Sequence, residues 1–108
     1  DACKKNGFEY GRRLTGGGAI LMGSQQLGIC FATSSAVFEW ENIRELYHKF
    51  SLPVIQALAK LGIDAQFRSK NDLEVNGKKI AGLGVHVDAD GAIQFHTSLL
   101  IDLNIDTM

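Results

Sequence analysis

Three stretches of this chain carry residues whose types and spacing suit chemistry. The first is Arg12-Arg13-Leu14-Thr15-Gly16-Gly17-Gly18-Ala19. Three successive glycines let a backbone approach a ligand closely and turn its N–H groups on an anion, and the adjacent guanidiniums add fixed positive charge with forked donors. Strand alternation lets only one of Arg12 and Arg13 face such a ligand. No Lys-Ser/Thr follows the glycines, so this is not a P-loop, and no helix follows, so it is not a dinucleotide fingerprint. A loose hairpin loop beside a solvated basic edge stands as the plain alternative.

The second stretch, Asn71-Asp72-Leu73-Glu74-Val75-Asn76-Gly77-Lys78-Lys79-Ile80-Ala81-Gly82, is a hairpin pattern with a lysine pair just after its turn. Alternation puts Lys79, Ala81 and Leu83 on one face and clears space on the other with Gly82 and Gly84. A lysine aimed into a cleft neutralises a phosphate or carboxylate and the charge that develops on it. The alternative is a solvated lysine pair, since lysines are mostly exposed. Asp72 precedes the hairpin and has the chemistry to hold Mg²⁺ together with phosphate oxygens.

The third stretch is Phe95-His96-Thr97-Ser98-Leu99-Leu100. His96 reads as a hydrogen-bonded structural histidine or as a site residue. His48, in a helical stretch, reads as a surface residue, and no two histidines have the i, i+4 spacing of a zinc site. Cys30 lies in Gly28-Ile29-Cys30-Phe31 and reads as a small buried core residue. A Cys30–His96 nucleophilic pair is the other reading. Asp88 and Asp90 belong to a turn and need no function.

Positioning these groups falls to elements the sequence also outlines. Phe8 to Leu14, Ala19 to Met22 and Leu27 to Ala32 are apolar and β-compatible, which predicts strand, glycine turn, strand. Trp40, Ile43, Leu46, Tyr47 and Phe50 recur at helical spacing. Pro53 predicts a break, with Ser51 capping a second helix that ends at Gly62. From about residue 65 to Leu103 the pattern is a strand meander, with tight turns at Asn76-Gly77 and Asp90-Gly91. The fold class is α+β with a mostly antiparallel sheet and helices packed on it.

Composition sets the outer limits. The chain has 108 residues, 45% hydrophobic and 21% charged, which suits one globular domain. Eleven basic and twelve acidic side chains leave a net charge of −1, so no basic field exists to hold nucleic acid or an anionic membrane surface. No apolar run is long enough to span a bilayer. Two cysteines, Cys3 and Cys30, are too few for a disulfide framework, which makes the cytoplasm the expected compartment. The chain starts at Asp1 without a signal-peptide pattern, which suggests a piece of a longer protein.

In this order, the three stretches resemble the motifs of lipoate–protein ligases and their octanoyltransferase relatives. The resemblance covers nearly the whole chain, with the helical segment between the first and second motifs. It implies the catalytic fold shared by biotin and lipoate protein ligases, with residues 1–108 forming part of that domain. It also implies a two-step reaction. Lipoate and ATP, with Mg²⁺, give lipoyl-AMP and pyrophosphate, and the lipoyl group then passes to a lysine of an acceptor lipoyl domain. Such acceptors are the E2 subunits of 2-oxoacid dehydrogenases or the glycine-cleavage H protein. By resemblance Lys79 is the essential lysine. Arg13, Gly16, Gly17, Gly18 and Ala19 bind acyl group and adenylate, with Asn71, Asp72, Ala81, Gly82 and His96 beside them, and Asp72 near the metal.

The sequence departs from the family pattern at Met22, where a histidine is usual, and at Ala81, where a serine is usual. Gly23-Ser24-Gln25-Gln26 stands in place of an Asp-x-Gly-Asn. No cysteine falls where the octanoyltransferase nucleophile is expected, which favours the adenylating branch. An octanoyl or lipoyl acyltransferase is the alternative enzyme, and a non-catalytic lipoyl-binding or regulatory module of a split ligase is the contrasting class. The family's N- and C-terminal parts are absent from this sequence. The expected consequence is a sheet whose edges and apolar faces need those segments in trans, or self-association, to cover them.

Overall fold

The computed structural model describes residues 2–68 and 70–102. After a four-residue helix α1 (Ala2–Lys5) come β1 (Gln26–Ser34), α2 (Ile43–Lys60), β2 (Gln66–Arg68), β3 (Asp72–Val75), β4 (Lys78–Val87) and β5 (Ala92–Leu100). The strands form one antiparallel sheet in the order β1-β5-β4-β3-β2. This is the α+β arrangement that the meander pattern implies. Leu103, the last residue of the expected meander, lies outside the described residues.

Alternation divides the sheet into two faces. Leu73, Ala81, Leu83, Val85, Ile93, Phe95 and Leu99 are buried under α2, which adds Leu46, Phe50 and Val54. Ala81 aside, each such side chain contributes roughly 1.5–3 kcal/mol when removed from water. Phe50 of α2 stacks on Phe95 of β5 with ring centroids 5.4 Å apart, and Phe31 of β1 stacks on Phe95 at 5.9 Å. These contacts fix the helix over the β4–β5 pair, so the site must lie on the opposite face.

Two expectations change here. The proline break does not occur: α2 is one helix of 18 residues with Pro53 inside it. Leu46 and Phe50 before the proline and Val54 after it all enter the same core. Their burial outweighs the roughly 3 kcal/mol that an interior proline costs. Ser51 is no cap; it is buried and its hydroxyl donates to the His48 carbonyl at 3.0 Å. The actual cap is Asn42, whose side chain accepts from the Glu45 N–H at 3.0 Å. Glu45 in turn takes hydrogen bonds from Lys49 and the Glu41 N–H, which hold its carboxyl below the usual value. Gly62, with φ +80°, ends the helix as its position suggests.

The second change concerns residues 8–22, which form no strand. Strand propensity is expressed only against a neighbouring ladder, and this segment has none. Instead Arg13 folds the chain on itself: its guanidinium donates to the carbonyls of Gly16 (3.0 Å) and Gly18 (2.7 Å). The segment passes over the open face of the sheet as an irregular loop. Without strand geometry, the alternation argument for Arg12 against Arg13 does not apply.

Candidate active site

Between this loop and the open face of the sheet lies a cavity of about 550 Å³, within the usual range of small-molecule sites. Its floor is shaped by small residues. Gly82 of β4 pairs with Ser98 of β5, and Ser98 with Gly28 of β1. The roof is Gly16, Gly17, Gly18 and Ala19, continued by Ile20 and Leu21. The walls differ in chemistry. On the β3–β4 side stand Asn71 and Lys79; on the β1–β5 side stand Leu100 and Leu21, the latter held by the Gln26 amide donating to its carbonyl at 3.1 Å.

Lys79 reaches this cavity because of a β-bulge. Leu73 pairs with Ala81, but Glu74 pairs with Lys79, so Ile80 is an extra residue in β4. Simple alternation would place Lys79 with Ala81 on the helix side. The bulge turns it to the Gly82 side, where its ammonium would lie 3.7 Å from a Cβ built on Gly82. Its Nζ is 2.8 Å from Asp72 Oδ1. Asp72 Oδ2 accepts from Arg68 at 3.1 Å, and Arg68 also faces Glu74 at 3.6 Å. The lysine is thus fixed on one side by a carboxylate while its side chain stays half exposed.

Those ion pairs decide the metal question. Both oxygens of Asp72 face cations, and among the described residues no three His, Cys, Asp or Glu side chains converge. The donor set does not fit a protein-held Mg²⁺ at Asp72. Its place in the structure is that of a positioning partner for Lys79.

The remaining site candidates fall into place or outside it as follows. Arg13 lines the cavity, and its Nε and Nη2 donate to the Gly16 and Gly18 carbonyls, so it also acts as an internal clamp of the glycine loop. A Cβ on Gly17 would come within 2.8 Å of Arg13 Nη2, so the clamp requires glycine there. Asn71 is held by its amide donating to the Leu83 carbonyl at 3.0 Å, and Leu83 N–H returns a bond to Asn71 at 2.8 Å. Ala81 is a correction: it is fully buried on the helix face, so its side chain cannot touch a ligand in the cavity.

His96 stands on the open face, with Nδ1 2.9 Å from the Thr15 hydroxyl. Burial, with a further contribution from the Arg13 charge, holds its pKa below the usual 6.5, which favours the neutral ring. Cys30 is the direct cross-strand neighbour of His96, yet it is exposed rather than buried. Its sulfur meets the Gln94 amide at 3.6 Å, while the imidazole turns to Thr15, so no cysteine–histidine couple forms. Cys30 occupies the open face by alternation from Phe31, a parity that was readable in the sequence. Thr15, on which His96 depends, carries no sequence signal beyond its place beside the glycine run, whereas alternation already marks Gly84 as clearing the space that the His96 ring fills.

The whole chain, residues 1–108, matches the lipoyl protein ligase A/B catalytic domain family, and the protein belongs to that family. Within it, the chain is 37% identical over 103 residues to the lipoate-protein ligase LplJ of Bacillus subtilis, covering 95% of this chain and 30% of that protein. The chain therefore spans about a third of that relative's length. Among solved structures, a bi-partite lipoate protein ligase described with its E2 lipoyl domain, from Thermoplasma acidophilum, superimposes with a TM-score of 0.84 at 29% identity. That match covers 97% of this chain and 40% of the other. A lipoate-protein ligase A bound with ATP gives a TM-score of 0.83 at 26% identity, over 98% of this chain and 45% of that one. A lipoate protein ligase from T. acidophilum with bound lipoic acid gives 0.83 at 26% identity, over 99% and 47%. Among the described residues no helix is long and apolar enough to cross a membrane.

Proposed function

We propose that this chain is the central part of a lipoate–protein ligase catalytic domain, and that its cavity joins lipoate to AMP. The observation that carries this reading is the two-sided cavity under the glycine run. It offers an ammonium and an amide on one wall and apolar side chains on the other, which suits a carboxylate on an aliphatic chain. The relatives bound to ATP and to lipoic acid support the same choice of substrates.

In the first step a lipoate carboxylate oxygen attacks the α-phosphorus of ATP. The bond from that phosphorus to the bridging oxygen breaks, and pyrophosphate leaves. Negative charge grows on the non-bridging phosphoryl oxygens, and Lys79 opposes it. An ammonium has three donors, so Lys79 keeps its bond to Asp72 while adding one to substrate. The N–H groups of the glycine run supply further donors, and the Arg13 clamp holds them in place. Any Mg²⁺ would be carried by the ATP phosphate oxygens, where it would neutralise their charge, with no ligand from Asp72. In the second step the neutral amine of an acceptor lysine attacks the carbonyl carbon of lipoyl-AMP. AMP leaves with the bonding pair, an amide forms, and the amine proton goes to solvent. The acceptor in this reading is a lipoyl domain, as in the bi-partite relative, and the rest of the ligase is supplied by further polypeptide.

Lipoate-dependent exchange of pyrophosphate into ATP, measured on the full-length protein that contains this chain, tests the reading. Exchange that requires lipoate supports it. Acyl transfer from a carrier protein without ATP would replace it with the acyltransferase, and lipoate binding with neither activity would replace it with a binding module.

A further inference from the structure

The loop that roofs the cavity has few attachments to the sheet. Among the described residues, no backbone–backbone hydrogen bond ties residues 9–22 to any strand. Two side-chain bonds do so: Gln26 of β1 to the Leu21 carbonyl, and Thr15 to His96 of β5. The second sits immediately before the three glycines and differs from the first in burial. Thr15 is only 6% exposed in a loop whose neighbours Leu14 and Gly16 are exposed. The imidazole it meets lies over Gly84, where a Cβ would overlap the ring and come within 2.9 Å of Thr15 Oγ1. Three positions on three separate segments therefore fit together at one point.

We infer that Thr15 and His96 form a clasp that sets the height of the glycine run above the sheet, with Gly84 as the space that admits it. This makes both side chains positioning residues for the ligand-binding loop, and the part concerning lipoate rests on the function proposed above. The bond survives in either direction of donation: the threonine hydroxyl donates to an unprotonated Nδ1 or accepts from a protonated one. Arg13 makes the loop rigid within itself; the clasp fixes that rigid loop to β5. When the clasp opens, the roof keeps its shape but loses its register with Lys79 and Asn71.

The test is made on the full-length protein that contains this chain, with Thr15→Val, which keeps shape and removes the hydroxyl, and Thr15→Ser, which restores it. Backbone ¹⁵N relaxation reads the order of Gly16, Gly17 and Gly18, and calorimetry reads lipoate binding. Thr15→Val is expected to bring the three glycines to order parameters below about 0.6, with β4 and β5 unchanged. It should also weaken lipoate about fivefold, as expected for one hydrogen bond. Thr15→Ser should match the wild type in both. A second pair guards against a folding defect: His96→Asn, whose amide falls near the Nδ1 position, should keep the glycines ordered, and His96→Gln should not. Glycines as ordered in Thr15→Val as in the wild type would overturn the clasp. If the wild-type full-length protein binds no lipoate, the functional reading fails while the relaxation data still decide the clasp.

Discussion

Replacing Gly84 with alanine tests the packing beneath the glycine loop. The backbone at Gly84 lies outside the left-handed region, so the cost is one of space alone. The added methyl would overlap His96 Cε1, sit 2.8 Å from Nε2, and sit 2.9 Å from Thr15 Oγ1. The far side of the ring cannot simply swing away, because Nδ1 is bonded to Thr15. Overpacking of this kind costs about 1–3 kcal/mol. Loss of the Thr15–His96 bond adds about 1 kcal/mol. Removing glycine's freedom from the unfolded chain returns about 0.4–1 kcal/mol. The net is a destabilisation of about 1–3 kcal/mol, or a fall in melting temperature of roughly 5–20 °C for a domain of this size. Gly82→Ala is the control: its methyl would meet Lys79 at 3.7 and 3.8 Å, ordinary contact, so its effect should stay within about 0.5 kcal/mol. Urea and thermal unfolding measure both. Adding His96→Ala to Gly84→Ala should recover part of the loss, a non-additivity that identifies the ring as the obstacle. Equal stabilities for Gly84→Ala and Gly82→Ala would refute the reasoning.

Other outcomes follow from particular residues. Because His96 titrates lower in the folded chain than its ordinary 6.5, the unfolded chain binds more protons just below that pH. Stability should therefore be full above pH 6.5 and fall on acidification through the folded value; thermal melts from pH 7.5 to 5 should show this decline, reduced in His96→Asn. Pro53→Ala restores an N–H for the Lys49 carbonyl within α2 and should raise stability by about 1–3 kcal/mol, read from urea midpoints. Asp72→Asn breaks partly exposed ion pairs, so stability should change by less than about 1 kcal/mol. The same change frees Lys79 to wander and should lower the exchange rate on the order of tenfold to a hundredfold.

Much of this arrangement could be read from residue types. Asn76-Gly77 specified its hairpin, with left-handed φ values of 50° and 75°, and the alternation of Ile93, Phe95, Thr97 and Leu99 specified the buried face of β5. What escaped the sequence depended on contacts between distant segments. The Ile80 bulge reverses the parity of Lys79, and a bulge is set by the register of β3 against β4 rather than by the local pattern. The glycine run was visible, but its loop form depends on which acceptors Arg13 finds. Pro53 carries a local penalty, but whether it breaks the helix depends on the core contacts that Leu46, Phe50 and Val54 make on both sides of it. Cys30 has apolar neighbours, but Ile29 and Phe31 take the core face and strand parity leaves Cys30 on the open one.

The central claim is that Lys79, turned into the cavity by the bulge, stabilises charge in adenylate formation. Its most direct test is lipoate-dependent ATP–pyrophosphate exchange by the full-length protein carrying Lys79→Ala or Lys78→Ala. Lys78 is exposed and opposite Val75 in the ladder, so its loss should leave exchange near wild type. Lys79→Ala should lower kcat by on the order of a hundredfold or more while changing lipoate binding far less, and Lys79→Arg should not restore it. Equal losses in Lys78→Ala and Lys79→Ala, or normal exchange by Lys79→Ala, would contradict the account.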